Sequence, residues 1–354
     1  MHEEMLFSFL KQLDYFHSKI DRKLVTSIYF GGGTPSLMKP FVVEGVVQKI
    51  YQLFSVSSDV EITLEANPTS FEIEKFKDFK KAGINRLSIG VQSFDGANLL
   101  FLGRKHNAKQ AIFAIEESNK IFQNTTFDLI YALPRQKIDD WQKELEFATS
   151  LNTNHLSLYT LTIEPNTPFY KMVSMGKMKP KDDDEVAQFI ELTHDITTQH
   201  FFERYEISNY AKDGFYSRHN MIYWQQNDYI GIGAGAHGRL FYKDGNRYET
   251  ECFAKPKEWV KNCNSSNNGL LIEAKISKAD QIKEIIISGL RVNKGINLID
   301  IKQRFGFDLL DFVNKSFLQN AIKNNALFCD DLMLKITPQG EMILQYIIKN
   351  LLEV

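Results

Sequence analysis

In the first half of the chain, short apolar runs alternate with amphipathic helical patterns at roughly thirty-residue intervals, the spacing of strand–helix–strand units. Residues 25–30 (VTSIYF) predict a strand that ends in Gly31-Gly32-Gly33-Thr34-Pro35, and a helical pattern follows over 42–54. The next strand, 60–66 (VEITLEA), is broken by Asn67-Pro68; Thr69 and Glu72 then have the spacing of a capping box for a helix with Ile73, Phe76 and Phe79 on one side, ended by Gly83. Residues 86–92 (RLSIGVQ) predict a third strand, and Asn107 to Gln110 open a helix carrying Ile112 and Ile115. A fourth strand is expected at 127–133 (FDLIYAL), then a helix around Trp141 and Leu145 capped by Asp139 or Asp140, then a fifth strand at 155–161 (HLSLYTL). Strands rich in Ile, Leu and Val joined by helical crossovers make a parallel sheet, so the fold class is α/β.

Such a sheet is either an open doubly wound layer or a barrel. The glycines after the first strand read GGGTP rather than GxGxxG, which removes the main support for a dinucleotide-binding layer and favours a β/α barrel or partial barrel. Polar residues recur at strand ends, at Thr34, Glu65 and Gln92, with Asp128 inside its strand, and the C-terminal edge of a barrel is where sites are built. Beyond Pro180 the texture changes. The acidic run 182–185 caps a helix through Phe189 and Leu192, a stretch dense in His, Tyr, Trp and Gly follows, and 262–269 (NCNSSNNG) has the composition of a linker. The last part predicts helices around 285–290, 298–305 and 342–351 with a small hairpin near 327–336. The expected units are 1–175, a partial barrel; 176–262, a barrel extension; and 270–354, a small, mainly helical C-terminal domain.

Composition narrows the function classes. The 354 residues are 43% hydrophobic and 24% charged, globular values, and 42 Lys+Arg against 44 Asp+Glu leave a net charge of −2. No basic excess points to nucleic acid. The three cysteines, Cys252, Cys263 and Cys329, include no CxxC pair, which argues against a disulfide framework and against a compact cysteine metal site. No apolar run is long enough to span a bilayer and the first residues are acidic, so a cytoplasmic protein is expected.

Several residues could carry chemistry. Gly31, Gly32 and Gly33 let a ligand approach the backbone and Thr34 adds a hydroxyl, a set suited to amino and carboxylate groups, although the same residues serve as a tight turn with Pro35 at a helix start. Glu65 can accept from a ribose or an ammonium, or stand exposed at its strand end. Ser88, Gly90, Gln92 and Ser93 give the third strand a small polar end. Arg104 could hold a carboxylate in a bidentate fork, or lie with Lys105 and His106 in a solvated loop. Asp128 must be paired or functional, because an unpaired buried charge costs on the order of several kcal/mol. His219, in the segment 218–224 (RHNMIYW), can ligate a metal or heme iron with Tyr223 and Trp224 as an apolar wall, or be a hydrogen-bonded structural histidine. Residues 231–238 (GIGAGAHG) fit either a packing turn or a ligand-facing loop.

Taken together, GGGTP at 31–35, LEANP at 64–68, RLSIGVQSF at 86–94, LGRKH at 102–106 and DLIYALP at 128–134 resemble the oxygen-independent coproporphyrinogen III oxidase family of radical S-adenosylmethionine (SAM) proteins. RHNMIYW and GIGAGAHG resemble its heme chaperone branch, HemW, rather than the oxidase proper, HemN. The resemblance spans nearly the whole chain. It implies a TIM-like partial β/α barrel that binds SAM, here without its first strand, followed by a small winged-helix-like domain. Carried over by position, it implies that Gly32, Gly33 and Thr34 meet the methionine end of SAM, that Glu65, Gln92, Arg104 and Asp128 line the rest of its site, and that His219 ligates heme. The implied role is binding heme and passing it to client hemoproteins, with no nucleic acid partner, no integral membrane segment, and peripheral membrane contact only through membrane clients. A coproporphyrinogen oxidase, converting two propionates to vinyl groups through a SAM-derived radical, is the alternative; a cluster-less partner-binding barrel is a third.

Members of this family begin with a strand and a Tyr-x-His-x-Pro-x-Cys-x3-Cys-x2-Cys loop whose thiolates hold a [4Fe–4S] cluster. Residues 1–354 contain no such loop, and the three cysteines are too widely spaced to replace it. No metal ligand or catalytic residue is therefore assigned, and radical chemistry by the polypeptide as written is not expected. A sheet without that strand would expose the edge of residues 25–30. The expectation is that the native protein continues upstream of Met1; a truncated gene giving a weakened SAM or heme binder is the competing one.

Overall fold

The structure, a computed structural model, describes residues 2–265 and 268–353. Helix α1 (His2–Lys19) leads into β1 (Leu24–Phe30), a single 3-10 turn at Pro35–Leu37, α2 (Pro40–Leu53) and β2 (Ser55–Ala66). The alternation continues through α3 (Ser70–Ile73), α4 (Phe76–Lys81), β3 (Arg86–Gln92), α5 (Gly96–Phe101), α6 (Ala108–Ile121), β4 (Asn124–Tyr131), α7 (Ile138–Ser150) and β5 (His155–Thr160). After α8 (Pro168–Ser174) and α9 (Asp183–Gln199) come two short strands, β6 (Glu203–Arg204) and β7 (Asn209–Ala211). The order in the seven-stranded sheet is β1-β2-β3-β4-β5-β7-β6. β1 to β5 are parallel, while β7 lies antiparallel to β5 and β6 antiparallel to β7. The sheet curls into a half-barrel. β1 is an edge strand, with no partner on its outer side among the described residues.

Alternation along each strand builds two unlike faces. Ile62, Leu64, Leu87, Ile89, Phe127 and Leu156 point outward to Val43, Phe76, Ile115 and Trp141 of the helices and form the largest core cluster. Trp141 is fully buried, stacks on Tyr131 at 4.8 Å and donates its Nε1–H to Thr193 Oγ1 at 2.9 Å. The inner face carries Glu61, Thr63, Arg86, Ser88, His155 and Ser157, all buried polar groups.

The second half adds α10 (Arg218–Trp224), an antiparallel sheet of β8 (His237–Phe241), β9 (Arg247–Cys252) and β10 (Leu270–Lys275), and α11 (Pro256–Asn264). The C-terminal region is helical: α12 (Lys278–Gly289), α13 (Leu298–Phe305), α14 (Lys315–Lys323), α15 (Pro338–Glu341) and α16 (Leu344–Leu352) surround a small sheet of β11 (Ile296–Asn297), β12 (Leu327–Cys329) and β13 (Met333–Ile336) with its own core cluster. Among the described residues no helix is long and apolar enough to cross a membrane.

Several expectations are corrected. The helix expected to carry Ile73, Phe76 and Phe79 is split into α3 and α4. The buried Glu72 carboxylate does not cap it but takes the Asn67 N–H at 2.7 Å and the Ser36 hydroxyl, tying β2's end to the loop after β1. Asp139 and Asp140 lie in the first turn of α7, where their charge suits the helix dipole, and Lys137 holds the cap position without a side-chain bond. The stretch 262–269 is no interdomain linker: Asn262 to Asn264 complete α11, Gly269 leads into β10, and residues 266–267 lie outside the described set. Gly269 has φ +75°, and a Cβ there would stand 2.5 Å from Cys263 Sγ, so the turn is packed tight. By contrast, the expected caps at Asn107 and Asp182 are both full capping boxes.

One buried amide joins α1 to the second sheet. Gln12 donates to Asn268 O at 2.7 Å, and its Oε1 accepts from Gly233 N at 2.9 Å and Trp259 Nε1 at 3.0 Å. Gln12→Leu strands two buried donors, the Gly233 N–H and the Trp259 Nε1–H, each worth about 1–3 kcal/mol when left unsatisfied, so denaturant unfolding is expected to show a loss of about 2–6 kcal/mol.

Candidate ligand-binding sites

At the C-terminal ends of β1 to β4 lies a polar cavity of about 210 Å³ lined by Gly33, Thr34, Glu65, Asn67, Gln92, Arg104 and Asp128, among others. Gly32 adjoins it, donating its N–H to Glu65 Oε2 at 3.0 Å. All seven residues singled out for SAM thus gather at one place. Parallel register explains it in part: Glu65 stands opposite Ser88 and Ser88 opposite Thr126, so Asp128, two residues on, follows along the same inner face towards the strand ends. Gly32 and Gly33 have φ of +78° and +66°, the left-handed region in which a side chain is strained. Gln92 adopts φ +75° without being glycine, at a register shift between β3 and β4. Strain of this kind costs on the order of 1–3 kcal/mol and turns the Gln92 amide to the cavity wall.

Arg104 reaches the cavity because the loop before α6 is clamped: buried His106 bonds through Nε2 to the Val91 carbonyl at 2.8 Å. The triplet is therefore not the solvated loop that its charge suggests. Burial lowers the Arg104 pKa, against the pull of Asp128. The Asp128 carboxyl is pushed up to about 7, chiefly by burial and also by the negative Glu65, while a hydrogen bond from Ser157 and the charges of Arg86 and Arg104 oppose the shift.

His219 lies elsewhere, on α10. Ser217 caps this helix by accepting from Asn220 N at 3.3 Å. The cap is anchored from the barrel interior: Tyr205 Oη accepts from Ser217 N at 3.3 Å and bonds to His155 Nε2 at 2.8 Å, and His155 Nδ1 bonds to Thr126 at 2.7 Å. The His219 N–H points to Glu61 Oε1 at 3.3 Å. Its half-buried imidazole lies flat on Tyr29, 3.9 Å between centroids at 9°, and meets Tyr223 edge-on at 4.6 Å. Burial, aided by the Arg86 charge, lowers its pKa to about 3.

His219, Ile222 and Tyr223 line one side of a largely apolar cleft of about 840 Å³, walled by α1, the outer edge of β1, α2 and the β8 region. Trp224, expected in the same wall, is not part of it. One residue beyond Tyr223 on the helix it points about 100° away, where Arg291 lies over its ring at 5.9 Å. The GIGAGAHG stretch serves both readings: its glycines are packed tight, a Cβ on Gly231 falling 2.1 Å from His237 O and one on Gly238 2.5 Å from Thr250 Oγ1, while its Ile232 lines the cleft. Tyr29 is the functional candidate that sequence reading missed. Its position two residues before the GGG run, on the same strand face as Gly31, was the available signal.

Cys252 and Cys263 are buried beside Trp259 and Cys329 lies on β12, so none of the thiols faces either cavity. Among the described residues no group of three or more His, Cys, Asp or Glu could hold a metal ion.

The family model of the Radical SAM superfamily matches residues 10–148, and that of the HemN C-terminal domain matches residues 276–343. Heme chaperone HemW of Buchnera aphidicola subsp. Schizaphis graminum is 34% identical across 99% of this chain and 90% of its own length. Heme chaperone HemW of Escherichia coli is 37% identical over 73% of this chain and 68% of its own. Radical S-adenosyl methionine domain-containing protein 1, mitochondrial, of Danio rerio is 33% identical over 93% and 75%. The solved structure of coproporphyrinogen III oxidase HemN from Escherichia coli has the same fold, with a TM-score of 0.78 at 18% identity over 99% of this chain and 83% of that one.

A raised carboxyl makes stability depend on pH. Between about pH 4 and the folded value of about 7, the folded chain holds a proton on Asp128 that the unfolded chain has lost, so this site's contribution falls as pH rises through that window. Asp128→Asn, which cannot ionise, is expected to melt on the order of 2 °C or more above the wild type at pH 8 and to match it at pH 4, as read by thermal scans at both pH values.

Proposed function

Because the chain belongs to the HemW heme chaperone family of radical SAM proteins, we propose that it binds heme at His219 and SAM in the polar cavity, and passes heme to client hemoproteins. The observation that carries the reading is the state of His219: a histidine on the wall of an apolar cleft whose burial keeps the imidazole uncharged. An uncharged imidazole has a ring-nitrogen lone pair available to iron, and apolar walls favour a flat tetrapyrrole. Clients, soluble or membrane-bound, would receive heme from this cleft.

The donor set of the polar cavity fits SAM. Glu65 can accept from ammonium or ribose hydroxyls, Arg104 can fork to the carboxylate, Gly33 and Thr34 offer backbone and hydroxyl groups, and Gln92 can meet the adenine edge. SAM supplies a sulfonium-activated carbon when bound; the chain's own part is to hold and orient it. The thiols present do not fit a [4Fe–4S] cluster, since two are packed against Trp259 and the third is on β12, so no step is derived through one. Residues 1–175 would form the SAM unit and the following region, whose sheet extends through β10 to Lys275, would bring His219 to it, with the helical region from α12 onward as the C-terminal unit. Three free thiols suit the reducing cytoplasm, where we place the protein.

Heme titration of the purified protein is expected to give a saturable Soret shift, and His219→Ala to weaken binding about ten-fold or more, a loss near 1.4 kcal/mol. A folded wild type without a Soret shift overturns the heme role. Arg104→Ala is expected to weaken SAM binding by a similar factor in calorimetry while heme still binds; unchanged SAM affinity removes Arg104 from the site.

A further inference from the structure

One side chain is shared by the two cavities. The Tyr29 ring lines the apolar cleft and stacks on His219 at 3.9 Å, while its hydroxyl donates to Glu65 Oε1 at 2.6 Å. Glu65 lines the polar cavity, and its second oxygen takes the Gly32 N–H at 3.0 Å. An unbroken series of contacts therefore runs from the GGG loop through a carboxylate and a phenol to the imidazole. The backbone is fitted to it. A Cβ on Gly31 would stand 2.4 Å from Tyr29 Cε1 and 3.0 Å from Glu65 Oε1. Unlike Gly32 and Gly33, Gly31 is not in the left-handed region, so the space taken by Tyr29, rather than backbone conformation, is what requires glycine there.

We propose that Tyr29 is a positioning residue that couples the two sites, so that a ligand on Glu65 in the polar cavity orders the Tyr29 ring and, through it, the plane of the His219 imidazole. The proposal rests on the heme and SAM reading above and adds its regulation. A carboxylate has about four acceptor positions, of which Tyr29 and Gly32 use two, leaving others for donors of a bound ligand. A ligand engaging them immobilises Glu65, and the Tyr29 hydroxyl with it. Burial and the Glu65 charge hold the Tyr29 pKa far above the usual phenol value, so the hydroxyl stays a donor. With Tyr223 edge-on at 4.6 Å, the imidazole is then held from two sides. A second ligand meeting an already ordered imidazole loses less entropy on binding, which makes the coupling positive, and linkage makes it reciprocal.

The test is heme titration of the full chain with and without saturating SAM, in the wild type and in Tyr29→Phe, which keeps the ring and deletes the hydroxyl. SAM is expected to tighten heme binding about five-fold or more in the wild type, and the ratio is expected to fall to near one in the variant. Gly31→Ala, which crowds the ring, provides a second variant and is expected to lower the ratio as well. Heme affinity that SAM leaves unchanged or weakens in the wild type, or a ratio that persists in both variants, overturns the coupling alone, since both ligands then bind. Failure of either ligand to bind the folded wild type overturns the functional reading, and the coupling with it.

Discussion

Inside the half-barrel, Arg86 on β3 faces Glu61 on β2, both almost wholly buried, with Nε 3.8 Å from Oε2. The pair is loose: Arg86 Nε makes no hydrogen bond. Removing one member of a buried pair leaves an uncompensated charge, typically a loss of about 3–5 kcal/mol, so neither residue is free to change alone. Both reach further than each other. Glu61 takes the His219 N–H and so seats the start of α10 on the sheet, while the Arg86 charge helps hold both His219 and His155 neutral. His155, kept neutral, bonds Tyr205, and Tyr205 holds the cap of the same helix. One ion pair in the barrel interior thus helps to seat α10 and, after burial, to keep its histidine uncharged.

That interior exists because the strands are apolar on one side only. Helices on the outside bury Leu64, Ile89 and Leu156, and the hydrophobic gain there offsets the cost of placing carboxylates and a guanidinium on the other side. The same division supplies the polar cavity. Towards the strand ends the inner face reaches Glu65, Gln92 and Asp128, where the curl leaves room for a ligand, and the strained Gln92 backbone marks where the sheet register gives way.

Much of this could be read in the residues. Strand–helix alternation located β1 to β5, with β2 beginning five residues before its expected start, and the motif series gathered seven residues of which six line one cavity while Gly32 adjoins it. The polar alternation Glu61-Thr63-Glu65, Arg86-Ser88 and His155-Ser157 was equally present, yet strands rich in Ile, Leu and Val draw attention to the outer face, and the buried polar inner face went unread. What the sequence did not disclose is long-range. No local signal says that Glu72 abandons its helix to hold Ser36, or that β6 and β7, only two and three residues long, reverse direction at the sheet edge. Trp224 was misplaced for a local reason, since neighbours on a helix face different ways. Tyr29 was passed over because a tyrosine in an apolar strand looks like core until its hydroxyl is seen to end on Glu65.

Burial also acts on acid and base in opposite directions, and the two cavities exploit both. It raises the Asp128 carboxyl to about 7 and lowers the His219 imidazole to about 3. The imidazole is therefore uncharged across the physiological range, whereas the carboxyl is balanced between its two states near neutrality. A cationic ligand entering the polar cavity would find a group able to give up its proton and become negative in response, while a metal-bearing ligand at the apolar cleft would meet a base that already has its lone pair free. An exposed carboxyl would instead be fully ionised near neutrality, and an exposed imidazole partly charged. Both shifts follow from burial, of Asp128 on the inner face of the sheet and of His219 between α10 and β1, and the Tyr29 hydroxyl, held un-ionised by the same effect, is what joins one cavity to the other.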